Sequence, residues 1–238
     1  MGLFDEQLTE VKRFLSEARR AGGVREFRAF STPAWPAESS LVLEEDTAIE
    51  LGNPQTVSLS LLLWTGGHAV EDGLISLVGP DVGESGELSL PFAQVLMVRG
   101  SFEDEYESYQ ALRDAVYDTR LSGFMVRTRP SKHSLWCRVA REALEQGFSL
   151  RYLGAAFVKR LKEVPSASGV EVLFVTSSLD DVERLSGAAA EARRIIEAMM
   201  KMYEEKSFDC ETCEYRDVCD GVMELKKIRE KLAGEKAV

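Results

Sequence analysis

Histidine is almost missing from this chain: its 238 residues contain two, His68 and His133. His68 follows Gly66-Gly67 in a turn, His133 lies in a basic loop, and neither has a sequence neighbour suited to act with it. Acid–base catalysis through imidazole therefore has little to build on. Long apolar runs are missing too. Those at 59–64 and 95–98 fall far short of the ~20 residues that a bilayer-spanning helix needs. The opening Met-Gly-Leu-Phe-Asp-Glu-Gln has no basic stretch followed by an apolar one, so it does not read as a secretory signal. These absences predict a cytoplasmic protein with no membrane partner. Basic charge is in deficit, 29 Lys and Arg against 40 Asp and Glu, for a net charge of −11. Such a chain repels a phosphate backbone, which argues against a nucleic-acid partner. A local cluster of cations remains able to take a small anion.

Cysteine is scarce as well, but its placement is informative. Three of the four fall within ten residues, in Cys210-Glu-Thr-Cys213-Glu-Tyr-Arg-Asp-Val-Cys219. A C-x2-C step lets two soft sulfurs reach one metal from a single turn of backbone, and the third can close over the same centre. In a reducing compartment, clustered thiols are metal ligands more often than disulfides. The spacing points to a [4Fe-4S] cluster at Cys210, Cys213 and Cys219, with structural zinc as the alternative. A cube needs four ligands. Cys137 is the remaining thiol and a candidate fourth, unless it is a small buried hydrophobe in a strand. Otherwise Asp220, a small molecule or a partner supplies the ligand.

The pattern along the chain mixes helices and buried strands. Phe4, Leu8, Val11, Leu15 and Ala18 recur at helical spacing, and Gly22-Gly23 stops the helix. Continuous apolar stretches at 57–64, 74–78, 92–98 and 170–176 read as buried strands, with shorter candidates at 124–127 and 135–139. Helices are predicted over 104–121, 141–146, 152–161 and 178–205, and a last one carries Val222, Leu225, Ile228 and Leu232 on one side. The Tyr106/Tyr109 stripe and Met199, Met200 and Met202 read as packing residues. The expected class is α/β (α+β): a mixed sheet with flanking helices and a short helical tail bearing the cysteines. The expected organisation is an N-terminal helix and loop over 1–40, an α/β domain over 41–178 and a helical cysteine-bearing segment over 179–238.

Several phrases occur in a recognisable order. They are Asp46-Thr-Ala-Ile-Glu-Leu-Gly-Asn-Pro54, Leu63-Trp-Thr65, Glu71-Asp-Gly73, Val78-Gly-Pro-Asp81, Leu135-Trp-Cys-Arg138, Gln146-Gly-Phe-Ser-Leu150 and Leu153-Gly154. Over roughly 41–194 the chain resembles the middle region of CO-methylating acetyl-CoA synthase, the β subunit of the CO dehydrogenase/acetyl-CoA synthase complex. The resemblance implies an α+β middle domain. It also implies the approach to a domain holding the A-cluster, a [4Fe-4S] cube bridged to two nickel-type sites. That domain is entered through a helix and a C-x2-C pair, which here match 190–205 and then Cys210 and Cys213. The family also associates a tryptophan followed shortly by arginine with coenzyme A, and Trp136 and Arg138 match. Arg127, Arg129, Lys132 and Arg141 lie close in sequence. Guanidinium forks suit phosphate, and an adenine ring stacks on an aromatic or an arginine plane. The reading without a ligand is a core tryptophan beside a solvated face of arginines.

The chain also departs from that pattern. Cys219 follows Cys213 sooner than the family's third cysteine does, Pro130-Ser131-Lys132 replaces the family's Gly-Gln-Arg, and no Cys-Gly-Cys step occurs. The expectation is that this chain alone does not assemble a complete A-cluster, so nickel is not expected in it. The reading that follows is an accessory, electron-transfer or cofactor-binding component of CO/acetyl-CoA metabolism, with a CO dehydrogenase, corrinoid or redox protein as partner. The alternatives are a small or split synthase-like enzyme using an open iron site, and a scaffold stapled by a metal.

Overall fold

The computed structural model describes residues 2–39, 41–53, 56–67, 70–129, 134–204 and 212–236. The first half runs α1 (Asp5–Arg20), β1 (Val24–Arg28), a 3-10 turn (Ala29–Ser31), β2 (Thr47–Leu51), β3 (Ser58–Thr65), β4 (Leu74–Val78), β5 (Ser89–Leu90) and β6 (Phe92–Gly100). Then follow α2 (Glu105–Tyr117), β7 (Phe124–Arg129), β8 (Ser134–Ala140), α3 (Arg141–Glu145), α4 (Leu150–Leu161) and β9 (Ala167–Val175). The C-terminal part is helical: α5 (Leu179–Arg184), α6 (Ser186–Glu204), α7 (Arg216–Gly221) and α8 (Met223–Lys236). The strands form a five-stranded sheet, β1-β4-β9-β6-β3, and a four-stranded sheet, β5-β2-β8-β7. This is the expected α/β class with mixed sheets and flanking helices.

β9 is the middle strand of the larger sheet. It runs parallel to β4 and antiparallel to β6, so that Val172 stands between Ile75 and Leu96. Residues 170–175 are all buried, as a strand covered on both faces requires. One of them is charged. Glu171 is fully buried, and its Oε2 accepts hydrogen bonds from Lys12 Nζ at 2.5 Å and the Glu71 N–H at 2.7 Å. Without such partners a buried carboxylate is strongly destabilising, so this pair ties α1 to the centre of the sheet. α1 in turn packs on β1, β3 and α6, while α4 lies against β4 and β9.

Trp64 closes the end of β3. It is 1% exposed, sits edge-on to Phe4 at 4.5 Å and stacks on Tyr109 at 5.8 Å. Its indole N–H donates to the Glu105 carboxylate. Burial raises the pKa of Glu105; the Trp64 hydrogen bond partly offsets this, and the charges of Glu224 and Asp104 add to it.

β2, β5 and α7 have no counterpart in the sequence expectation, and two further differences have a plain physical reason. The helix predicted over 178–205 is two helices. Ser178 caps the short α5, its side chain accepting the Asp181 N–H, and the chain re-enters helix at Ser186. Val182, Leu185 and Ala188 are buried around the break, so core packing outweighs the helical continuity of the alanine-rich run. The segment 24–28, which gave no strand signal, is the edge strand β1, paired antiparallel with β4. Its residues are only half-buried or exposed, so it lacks the apolar run by which buried strands are read.

The C-terminal ends of β4 and β9 meet at Gly79. Its φ is +107°, and a Cβ built there would stand 2.4 Å from the Ser177 backbone nitrogen. Thr176 holds the crossing from the other strand, its N–H on Val78 O at 2.8 Å and its hydroxyl on Pro80 O at 2.6 Å. Backbone cannot yield as a side-chain tip can. Gly79→Ala is therefore expected to cost about 1–3 kcal/mol, read as a lower thermal midpoint; an unchanged midpoint would contradict the packing described.

Candidate functional site

Two groups of residues carry candidate chemistry. The first is the cysteine segment. Cys210 lies outside the described residues. Cys213 and Cys219 line one narrow cavity, together with Ala198, Lys201 and Met202 of α6 and with Tyr215, Arg216 and Arg229. The segment is laid on α6 by polar ties. Arg194 donates to both Asp217 oxygens at 2.9 Å, the Tyr215 hydroxyl meets Glu197 at 3.4 Å, and Lys201 approaches Glu214 at 3.5 Å. Val218, Cys219 and Leu225 are buried beneath these ties, so α7 and α8 also pack through an apolar face.

The donor set fits a thiolate-bound metal centre in kind. Two soft sulfurs share one cavity, and three cations line it, Lys201 paired with Glu214 and Arg216 and Arg229 with Asp220. Cationic side chains in a site balance the negative charge of a thiolate-ligated cluster. Among the described residues, no group of three or more His, Cys, Asp or Glu side chains that could hold a metal is found. The third sulfur of the motif belongs to Cys210.

Cys137, the candidate fourth ligand, is placed elsewhere. It is fully buried in β8, paired with Leu51 on one side and Val126 on the other. Burial pushes its thiol pKa far up, which disfavours the thiolate that a metal requires. It is not among the residues around the Cys213/Cys219 cavity.

The second group lies on the smaller sheet. In β8 the side chains at 135, 137 and 139 are buried, while those at 134, 136, 138 and 140 are half-buried, so Trp136 and Arg138 share one face. Arg127 stands directly opposite Trp136 across the β7–β8 pair. The guanidinium carbons of Arg138 and Arg127 lie 4.8 and 5.7 Å from the Trp136 ring centre. Arg138 is oriented by Glu50, its Nε donating to Oε1 at 2.9 Å, and Asn53 holds the other Glu50 oxygen at 3.1 Å. The result is an indole plane flanked by guanidinium groups on a sheet face, an arrangement able to stack a planar ring and pair a phosphate.

The remaining predicted residues are not all gathered there. Arg129 pairs with Ser134 in the β7–β8 ladder. Arg141 begins α3, donates to the Thr47 carbonyl at 3.3 Å and lines a separate cleft of about 540 Å³ with Asp46 and Glu142. Glu50 was not anticipated as a site residue. It sits inside the phrase 46–54, and its role becomes visible only when β2 is laid beside β8, opposite Arg138.

With this geometry in place, the relatives of the chain fall into line. The chain belongs to the CO dehydrogenase/acetyl-CoA synthase complex beta subunit family, whose model matches residues 32–180. The relatives carry the name acetyl-CoA decarbonylase/synthase complex subunit beta. That of Archaeoglobus fulgidus is 24% identical over 220 residues, 91% of this chain and 39% of the relative. That of Methanothermobacter thermautotrophicus is 30% identical over 142 residues, 58% of this chain and 30% of the relative. The Methanopyrus kandleri protein is 27% identical over 162 residues, 66% and 33% of the two chains. The chain thus spans less than two fifths of the length of these curated relatives. No described helix is long and apolar enough to cross a membrane.

The placement of Cys137 generates a direct test. Cys137→Ala is expected to leave the metal content of the purified protein unchanged and to cost about 1 kcal/mol of stability, the scale of a lost small core group. Loss of metal in a folded Cys137→Ala variant would return Cys137 to the ligand set.

Proposed function

We propose that this chain is an iron–sulfur member of its family, acting as an accessory, electron-transfer or cofactor-binding component of CO/acetyl-CoA metabolism. The observation that carries the reading is the shared Cys213/Cys219 cavity with Lys201, Arg216 and Arg229 around it. Cys210, Cys213 and Cys219 are the proposed ligands of a [4Fe-4S] cluster. Such a cluster supplies one-electron redox chemistry when bound. The residues of the chain hold Cys213 and Cys219 against α6, line the apolar side of the cavity with Ala198 and Met202, and set Lys201, Arg216 and Arg229 beside the sulfurs. A CO dehydrogenase, corrinoid or other redox protein is the proposed partner, since the relatives are by name subunits of a complex. Zinc at the same thiols is the alternative and would make the segment a structural staple.

Coenzyme A is the proposed ligand of the second group. Its adenine would stack at Trp136, with phosphate received by Arg138 and Arg127. The pairing of Arg138 with Glu50 presents the guanidinium edge without leaving its charge uncompensated on an acidic protein.

Metal and acid-labile sulfide measured after anaerobic purification test the first part. About four iron and four sulfide per chain are expected, as in a cubane. Cys213→Ser and Cys219→Ser should each lower both, and zinc without sulfide would overturn the redox reading. For the second part, coenzyme A binding followed by calorimetry should weaken at least tenfold in Arg138→Ala. Undiminished binding in that folded variant would remove the sheet face as the site.

A further inference from the structure

A further cavity coincides with neither group above. It is a groove of about 800 Å³ between the loop at 29–37, the end of α2 and the outer side of α4. Its volume is that of a small-molecule site. Its floor is aromatic. Trp35 is half-buried and fixed, its indole N–H donating to the Ser122 carbonyl at 2.9 Å while the Ser122 N–H returns a bond of 2.9 Å to Pro36 O. The Tyr152 ring lies 5.0 Å from it, tilted by 40°, and is held by Arg151, which donates to its hydroxyl at 2.8 Å. Beside this pair, Ala155 and Ala156 leave the surface of α4 low.

The rim is cationic on a chain of net charge −11. Arg120, Lys159, Arg160 and Lys162 line the groove, against two carboxylates, Asp118 and Glu163. Arg160 is engaged by both acids, at 3.3 and 2.5 Å, and Lys162 by Asp72 at 2.6 Å. Arg120 donates to the main-chain carbonyls of Tyr117 and Thr119, and Lys159 has no acid partner among the described residues. Complementing the C-terminal end of α4 accounts for the sign of Lys159 and Arg160. Arg120 does the same for the C-terminal end of α2 through the Tyr117 carbonyl. Neither accounts for the two cations converging on one groove, nor for the aromatic floor between them.

We infer that this groove binds a nucleotide-type ligand, with its planar base on Trp35 and Tyr152 and its phosphate on Lys159 and Arg120. A preorganised aromatic floor costs little ordering on binding, and stacking on it is tolerant of the identity of the ring. Two cations not committed to carboxylates supply charge-assisted contacts to phosphate without breaking an internal ion pair.

The test uses ADP with the whole chain, measured by calorimetry and by tryptophan fluorescence in a Trp136→Phe background. Trp64 is 1% exposed, so Trp35 then dominates any quenching. ADP should bind and quench in that background. Binding should fall at least tenfold in Lys159→Ala combined with Arg120→Ala, two exposed positions, with an unchanged thermal midpoint showing that the variant folds, and Ala156→Phe should block it by filling the groove. Arg138→Ala, which removes only contacts at the Trp136 face, should leave the quench of Trp35 intact. Absence of ADP binding to the folded chain, or loss in Arg138→Ala with retention in the Lys159/Arg120 variant, would overturn the inference. Neither outcome bears on the iron and sulfide content that decides the proposed function.

Discussion

The buried ion pair between Glu171 and Lys12 is the point on which the rest of the molecule leans. Glu171 lies inside the middle strand of the larger sheet, where its neighbours are apolar on both faces. Its charge is tolerable only while α1 delivers Lys12 and the approach to β4 delivers the Glu71 N–H, both to Oε2. That fixes α1 against the sheet. α1 and β3 together receive α6, and α6 carries α7 and α8 with Cys213 and Cys219. The cysteine segment, distant in sequence from the N-terminus, is thus positioned by a carboxylate in β9 and an ammonium in α1.

The phrases that mark the family turn out to be joints more than ligand contacts. Asp81, in the phrase 78–81, is buried and accepts Ser149 Oγ at 2.5 Å and the Leu150 N–H at 3.0 Å. Two separate phrases therefore meet to start α4. Asp72 accepts the Val170 N–H at 3.1 Å and pairs with Lys162, and the Gly73 N–H reaches Val170 O, so the phrase 71–73 docks β9. Gly154 lets α4 approach β4; a Cβ there would stand 2.7 Å from Ile75 Cγ2. Trp64 and Thr65 bind Glu105 and Asp5, closing β3 against α2 and α1. The phrase 135–138 sets Trp136 and Arg138 on one half-buried face, and there Glu50 from the phrase 46–54 is the support.

What could be read from the sequence follows from this division. Buried strands such as β3, β6 and β9 announce themselves by continuous apolar runs, and α1 by its period, because burial dictates composition along a contiguous stretch. β1 and β2 are half-buried edge or bulged strands with little such signature. The pairing of Trp136 with Arg138 was legible, since alternate residues of a strand share a face. Glu50, Arg127 opposite the ring, and the meeting of Trp35 with Tyr152 were not, because each depends on register or on a crossing between distant segments. Cys137 shows the limit of counting thiols: it could be assigned as ligand or as packing residue from sequence, and its burial between Leu51 and Val126 places it with the packing.

The separation of the two candidate groups bears on which chemistry suits the chain. The main packing path from the cysteines to Trp136 runs from α7 to α6, from α6 to β3 and from β3 to β8. Bond formation between an acyl group on coenzyme A and a carbon or sulfur at a metal needs reacting atoms about 3–3.5 Å apart. That path separates the Trp136 face from the cysteine cavity, and the two share no lining residue. Electron transfer and cofactor holding make no such demand. The separation supports the proposed accessory reading over carbon–carbon bond formation confined to this chain. The cations beside the cysteines do not make the surface there positive: Lys201 meets Glu214, and Arg216 and Arg229 both meet Asp220, so the charge around the cavity is paired within the chain.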